Sequence, residues 1–424
     1  MPPPLDDLLT YIGSSPSPYH AVANAESRLA AAGFTSLDER ASWSSESVSG
    51  RRYVVRGGAL IAWVAADPAP AERGLRIIGA HTDSPNLRVK PNPDTASVGW
   101  KQLGVEVYGG VLANSWLDRD LGLSGRVVLR GGEERLVRVD RPIARVPQLA
   151  IHLDREVNEK GLVLDKQTHL APIIGLGDVD PGAFGRFLAE LSECGADDIV
   201  SWDVMLHDLT PPALLGLDEE LIAAARIDNL FSSWAAITAL VVAASRPTPQ
   251  IPMIALFDHE EVGSSSTGGA AGPLLETVIG RILHGLGLDA DDRARAMASS
   301  SCLSSDMAHA VHPNYADRHE PQHRPLPNKG PVLKVNVNQR YATDAASAAI
   351  FAEACARADV PMQTFVSRNS QPCGSTIGPI TATRLGIATI DVGCAMLSMH
   401  SARELCGAHD AELFLRALNE YYAR

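Results

Sequence analysis

Five short stretches of this 424-residue chain carry the kinds of side chain that do chemistry. In the first, Phe257-Asp258-His259-Glu260-Glu261-Val262-Gly263-Ser264 follows the apolar run Ile251–Leu256. Two adjacent carboxylates therefore sit where a buried strand empties into a glycine- and serine-rich loop. In the second, His81-Thr82-Asp83 follows another apolar run, Leu75–Ala80. Residues two apart on an extended chain face the same side, so the imidazole can ligate a metal while the carboxylate orients it. Asp228 opens a helical stretch, Asp306 lies in the small-residue run from Ser301 to Pro313, and His400 lies in a turn between a strand and a helix. Each has an ordinary explanation when taken alone: a solvated acidic loop for the glutamate pair, a helix N-cap for Asp228, polar loop residues for Asp306 and His400. What the set offers is two histidines and four carboxylates at strand-to-loop or loop-to-helix junctions, where they can converge.

Such a set suits hydrolysis by two divalent cations about 3.5–4 Å apart, with one carboxylate shared between them. Imidazole and carboxylate without thiolate fit zinc, manganese or cobalt. A further carboxylate outside the ligand set is needed as general base, and of two adjacent glutamates one can ligate while its neighbour takes the proton.

The elements that must position these residues read as an α/β fold, a mostly parallel mixed sheet flanked by helices, with a smaller β-rich domain inserted. A helical region at 5–32, broken at Ser14–Pro18, precedes strands at 53–55, 59–64 and 75–80. From about Val89 to Leu215 proline and glycine are frequent, helical periodicity is weak, and short strands appear at 105–108, 126–130 and 136–139. The α/β pattern then resumes with helices at 229–244, 274–286 and 344–358, strands at 251–257, 332–337 and 387–392, and a closing helix from about Arg403. Residues 1–88 and 216–424 thus form the discontinuous main domain, and 89–215 the insertion. This division agrees with a length beyond what one core supports.

Composition narrows the partners. A formal charge of −13 argues against nucleic acid and anionic membranes, and it requires any acidic ligand to meet a local basic pocket. Six cysteines without a CxxC pair suggest reduced thiols, and neither a signal peptide nor a membrane-spanning run is visible. The expectation is a cytoplasmic protein.

The stretches GAHTDSPNLRVKP, RIDNL, DHEEVGSSS, SSDMAHAVHPNY, KGPVLKVNVNQRY, PCGSTIGPI and MHSARE, with AIHLDREVNEKG inside the insertion, closely resemble the aspartyl aminopeptidase family of dinuclear metallopeptidases. The resemblance runs nearly end to end. It implies that His81 and Asp306 hold one zinc-type cation, Glu261 and His400 the other, and that Asp228 bridges them. It further implies that Glu260 is the general base for a bridging metal-bound hydroxide and that Asp83 supports His81. His152 would reach a neighbouring subunit's site, and Lys334, Tyr341, Gly374 and Ser375 would contact substrate. Family members form large closed homo-oligomers, typically dodecamers, with the insertion as dimer contact. The implied activity is release of an N-terminal Asp or Glu from peptides with a free N-terminus. One departure is Ser375 where some relatives carry threonine, which bears on side-chain specificity. Two rivals stay open: an amidohydrolase acting on N-acyl amino acids with the same metal site, and an assembly protein without catalysis. Lys334 sits in an alternating run, Val332–Val337, whose plainer reading is a solvent-facing lysine.

Overall fold

The computed structural model describes residues 4–66 and 73–423; Met1–Pro3 of the N-terminal stretch lie outside them. The expected mixed α/β architecture is present. Its centre is a nine-stranded sheet in the order Thr35–Ser36, Gly50–Arg56, Ala59–Ala65, Ile251–Phe257, Leu75–His81, Ser301–Ser305, Ala388–Gly393, Val332–Val335, Gln363–Val366. Four neighbouring strands in the middle, Ile251–Phe257, Leu75–His81, Ser301–Ser305 and Ala388–Gly393, run parallel. Their carboxyl ends therefore share one edge, where open α/β sheets place ligands. The apolar runs Ile251–Phe257 and Leu75–His81 are buried at every position, as strands covered on both faces must be.

Helices cover both faces. Ile227–Ala243 packs on one, beside Pro4–Ser14, Pro18–Ala31 and Asp410–Ala423; its side chains Leu230, Phe231, Trp234 and Leu240 are fully enclosed. Leu274–Gly285 covers the other face through Leu275, Val278 and Ile282. A six-stranded antiparallel sheet, ordered Glu134–Ala144, Leu121–Leu129, Ile199–Asp208, Asn86–Ser97, Trp100–Tyr108, Ile173–Leu176, has its own core around Leu123, Val127 and Leu206. It draws only on residues between Asn86 and Asp208. Ala213–Leu215 belongs instead to a third, five-stranded sheet with Leu221–Ala224, Glu404–Gly407, Ala395–Leu397 and Ala308–His309.

Several local expectations are corrected. The closing helix is Asp410–Ala423, because the residues just after Arg403 pair as the strand Glu404–Gly407 with Leu221–Ala224 and Leu397. The strand at Val332 ends at Val335, and Val337 lies exposed beyond it. A helix, Ala183–Leu191, packs on the antiparallel sheet, burying Phe184 and Leu188. Ser301–Ser305, Gln363–Val366 and the helix Ile377–Leu385 are regular elements that periodicity did not mark. All six cysteines are free thiols.

Candidate metal centre and catalytic cleft

The carboxyl edge of the parallel strands brings the chemical residues together. His81 ends one strand and aligns with Phe257 on the next, which leads into Glu260 and Glu261. Asp306 follows Ser305, and His400 lies beyond Ala395–Leu397. Asp228 sits where the long helix starts, but with non-helical backbone angles, so its side chain turns into the cleft and its own N–H bonds to Glu404. The helix-cap reading of Asp228 does not hold.

Asp228 presents one oxygen to each imidazole: Oδ1 lies 3.5 Å from His81 Nε2 and Oδ2 lies 3.6 Å from His400 Nε2. On the first side, Asp306 Oδ1 is 3.6 Å from His81 Nε2. On the second, Glu261 Oε2 is 3.2 Å from His400 Nε2. Glu260 borders the first group, with Oε2 4.0 Å from His81 Nε2. Among the described residues, His81, Asp228 and Glu261 are the group that meets the spacing of a metal-binding site. The buried atoms Asp228 Oδ1 and Glu261 Oε1 have no hydrogen-bond partner, and such acceptors are normally satisfied. An unpartnered Asp228 oxygen facing His81 Nε2, and an unpartnered Glu261 oxygen on the carboxylate that faces His400, fit a pair of divalent cations of the zinc type.

The electrostatics agree. Burial disfavours charge on His81, but Asp228, Asp306 and Asp83 outweigh it and hold the imidazole well above its usual range. Burial also works against His400, yet Asp228 and Glu261 raise it to about 12. Burial pushes Glu260 well above the carboxylate range and Glu261 up to about 7. On Asp228 the two imidazoles overcome burial and hold the carboxyl well below that range. The cleft thus demands positive charge, which cations supply when they displace the imidazole protons.

An outer layer fixes this geometry. Asp83 lies 3.3 Å from His81 Nδ1, and it accepts the backbone N–H groups of Glu260 (3.1 Å) and Glu261 (3.2 Å) and the Tyr108 hydroxyl (2.7 Å). It therefore ties a ligand strand to the glutamate turn. Glu404 does the same on the other side, with Oε1 accepting the His400 N–H at 2.7 Å and Oε2 the Asp228 N–H at 3.0 Å. Residues next to the antiparallel sheet also take part. His400 Nδ1 lies 3.1 Å from the Gly110 carbonyl, and a Cβ at Gly110 would stand 3.1 Å from that same nitrogen, which explains the glycine. Tyr108, Gly110 and Glu404 were not singled out from the sequence. For Glu404 the one sequence signal is its place four positions after His400, and nothing local marks it as buried.

A recess of about 550 Å³ opens over the centre, and Lys334, Tyr341, Gly374 and Ser375 line it together with Glu260, Asp306 and His400. Lys334 is only 2% exposed, so the solvent-facing reading is overturned. Its ammonium donates to Asp306 Oδ2 at 3.2 Å and to the Met307 carbonyl at 3.0 Å, and lies 5.2 Å from the Tyr341 ring centre. Buried Asp391 braces this wall of the recess, accepting from Ala342 N–H (2.6 Å), Ser304 (2.6 Å) and Thr376 (2.5 Å). His152 is not brought to this recess; it lies on an exposed loop between the strands Glu134–Ala144 and Ile173–Leu176.

Residues 11–422 match the family model described as aminopeptidase I zinc metalloprotease (M18). The chain is 58% identical over 416 residues to a probable M18 family aminopeptidase 2 of Streptomyces coelicolor, covering 97% of this chain and 96% of that protein. It is similar in structure to the chain in a cryo-EM structure of the Ape4 and Nbr1 complex, with TM-score 0.95, 36% identity, and 99% and 85% of the two chains covered. It is also similar to the S. cerevisiae mApe1 dodecamer, with TM-score 0.86, 29% identity, and 99% and 96% covered. Among the described residues no helix is long and apolar enough to cross a membrane. With the family motifs at one sheet edge, and a match in sequence and fold over nearly its whole length, the chain belongs to the M18 family of zinc metalloproteases and is an aminopeptidase.

Proposed function

We propose that the enzyme uses two divalent cations, zinc in the first instance, to release an N-terminal Asp or Glu from peptides with a free N-terminus. The observation that carries this reading is Asp228, whose two oxygens face His81 and His400 separately at 3.5 and 3.6 Å. His81 and Asp306 would hold one cation with Asp228, and His400 and Glu261 the other. When bound, such a pair lowers the pKa of water and polarises the scissile carbonyl. Glu260 lies beside the ligands without being needed among them. It takes the proton of the attacking water and returns it to the leaving amine. Asp83 and Glu404 keep the ligands oriented.

The preference for an acidic first residue rests on Lys334. In a chain of net charge −13 it is a cation buried in the wall of the cleft. An ammonium has three donors; Asp306 and Met307 use two, leaving one for a substrate carboxylate. Tyr341, Gly374 and Ser375 shape the same wall. Cleavage rates across a panel of N-terminal residues, at defined zinc loading, test the preference: Asp and Glu should lead, and faster release of neutral or basic residues would refute it.

A homo-oligomer is the assembly this reading favours, with residues 89–215 as the dimerisation domain. The loop around His152 exposes Leu149, Ile151, Leu153 and Val163, an apolar surface that a second copy would cover. His152 would then serve a neighbour's cleft. Light scattering should show a closed oligomer, and a monomer at micromolar concentration would refute it.

A further inference from the structure

A second recess of about 250 Å³ opens beside the catalytic one, and His309, Tyr341 and Gly374 form the wall between them. Its rim is basic. Arg318, from the turn Ala316–Arg318, and Arg368, just past the strand Gln363–Val366, both line it and both are exposed. Neither guanidinium is paired with a carboxylate among the described residues. The one acid in the lining, Glu320, is already engaged by His323 Nδ1 at 2.6 Å. His319 adds no fixed charge, since its Nε2 accepts the His312 N–H. Two unpaired guanidinium forks facing a cavity in a chain of net charge −13 form a carboxylate-binding arrangement.

Position decides which carboxylate. Lys334 is buried in the wall of the catalytic recess, whereas the two arginines that line its neighbour are exposed to solvent. A peptide held by its N-terminus runs outward to solvent, and each further residue spans about 3.3–3.6 Å. We propose that the second recess is a downstream subsite, which takes a carboxylate carried by the peptide beyond the residue that is released. The proposal rests on the aminopeptidase cleft described above. It assigns the enzyme a preference for acidic or short peptides that is independent of the first residue. The carboxylate comes either from an acidic side chain at the second or third position or from the C-terminus of a short peptide.

The test compares the zinc-loaded wild-type enzyme with the Arg318→Gln/Arg368→Gln double variant on peptides sharing one N-terminal residue. The first set is neutral and C-terminally amidated, the second carries Glu at position two or three, and the third is a neutral tripeptide with a free C-terminus. The double variant should lose about 5- to 25-fold in kcat/KM, mostly through KM, on the second or third set, as for one to two exposed ion pairs at the upper end of their usual strength. The set that shows the loss identifies the source of the carboxylate. The first set should stay within about twofold. An equal loss on all sets, or no loss on any, overturns the subsite. The three sets are then repeated with a first residue of opposite charge, and a loss that follows the charge of that residue assigns the recess to the released residue and also overturns the proposal. Arg368→Glu gives an independent check, since it should shift the downstream preference towards lysine, and an unchanged preference counts against the proposal. A wild-type enzyme that cleaves no unblocked peptide would defeat the reading of the cleft itself, a separate failure.

Discussion

Replacing Glu404 by glutamine keeps the side chain's volume and exchanges one oxygen for an NH₂ group. In the structure each oxygen accepts one backbone N–H, from His400 at 2.7 Å and from Asp228 at 3.0 Å, and the side chain is 2% exposed. Glutamine can accept only one of these. The other N–H then faces a donor in a site buried from solvent. Burial pushes the Glu404 carboxyl well above the carboxylate range, but both of its oxygens accept N–H groups, which only the ionised form can do; a hydrogen bond to such a charged acceptor contributes about 1.5–3 kcal/mol net. Both N–H groups belong to residues proposed to ligate the same cation, so relief comes from moving one ligand away. If the full energy is expressed there, zinc affinity at that site falls by about 10- to 150-fold. Competition titration against a zinc chelator measures this directly, and a melting curve in excess chelator separates it from loss of fold. A variant whose two zinc affinities both stay within twofold of wild type would refute the positioning role.

Glu260→Gln should keep both metals and the fold while lowering kcat by roughly 100-fold or more; near-native turnover would remove Glu260 as the base. Asp228→Asn should lose at least one metal per chain by elemental analysis, because the amide offers only one oxygen to two cations. Lys334→Met deletes the charge but keeps the stem. Because Lys334 also holds Asp306 at 3.2 Å, some loss on neutral substrates is expected, with a further roughly 10- to 150-fold loss in kcat/KM confined to N-terminal Asp or Glu. Equal losses on acidic and neutral peptides would mean that Lys334 serves Asp306 alone.

The candidate site was legible in the sequence because its residues cluster in short segments at the ends of apolar strands. Leu75–His81 and Ile251–Phe257 announce themselves by continuous apolar runs, and the chemistry follows within a few residues. Ser301–Ser305 does not, although it is a fully buried central strand. Its side chains are mostly small and polar, and their hydroxyls are satisfied inside the protein, as when Ser304 donates to Asp391 at 2.6 Å. The alternation around Lys334 reads as one buried and one solvated face. Yet Asp306, an acid 28 positions earlier in the chain, makes the lysine an inward residue. Glu404 was hidden for a similar reason, since a glutamate beside an arginine suggests surface. The third sheet, which buries it, joins segments nearly 200 residues apart, Leu221–Ala224 and Glu404–Gly407. Such long-range partners leave no local period.

The most direct test of the central claim is an anomalous diffraction experiment at the zinc edge on crystals of the zinc-loaded enzyme. Two peaks about 3.5–4 Å apart are expected, both within about 2.0–2.2 Å of an Asp228 oxygen. One should also reach His81 Nε2 and Asp306, the other His400 Nε2 and Glu261. A single peak, or a pair that Asp228 does not join, would contradict the account.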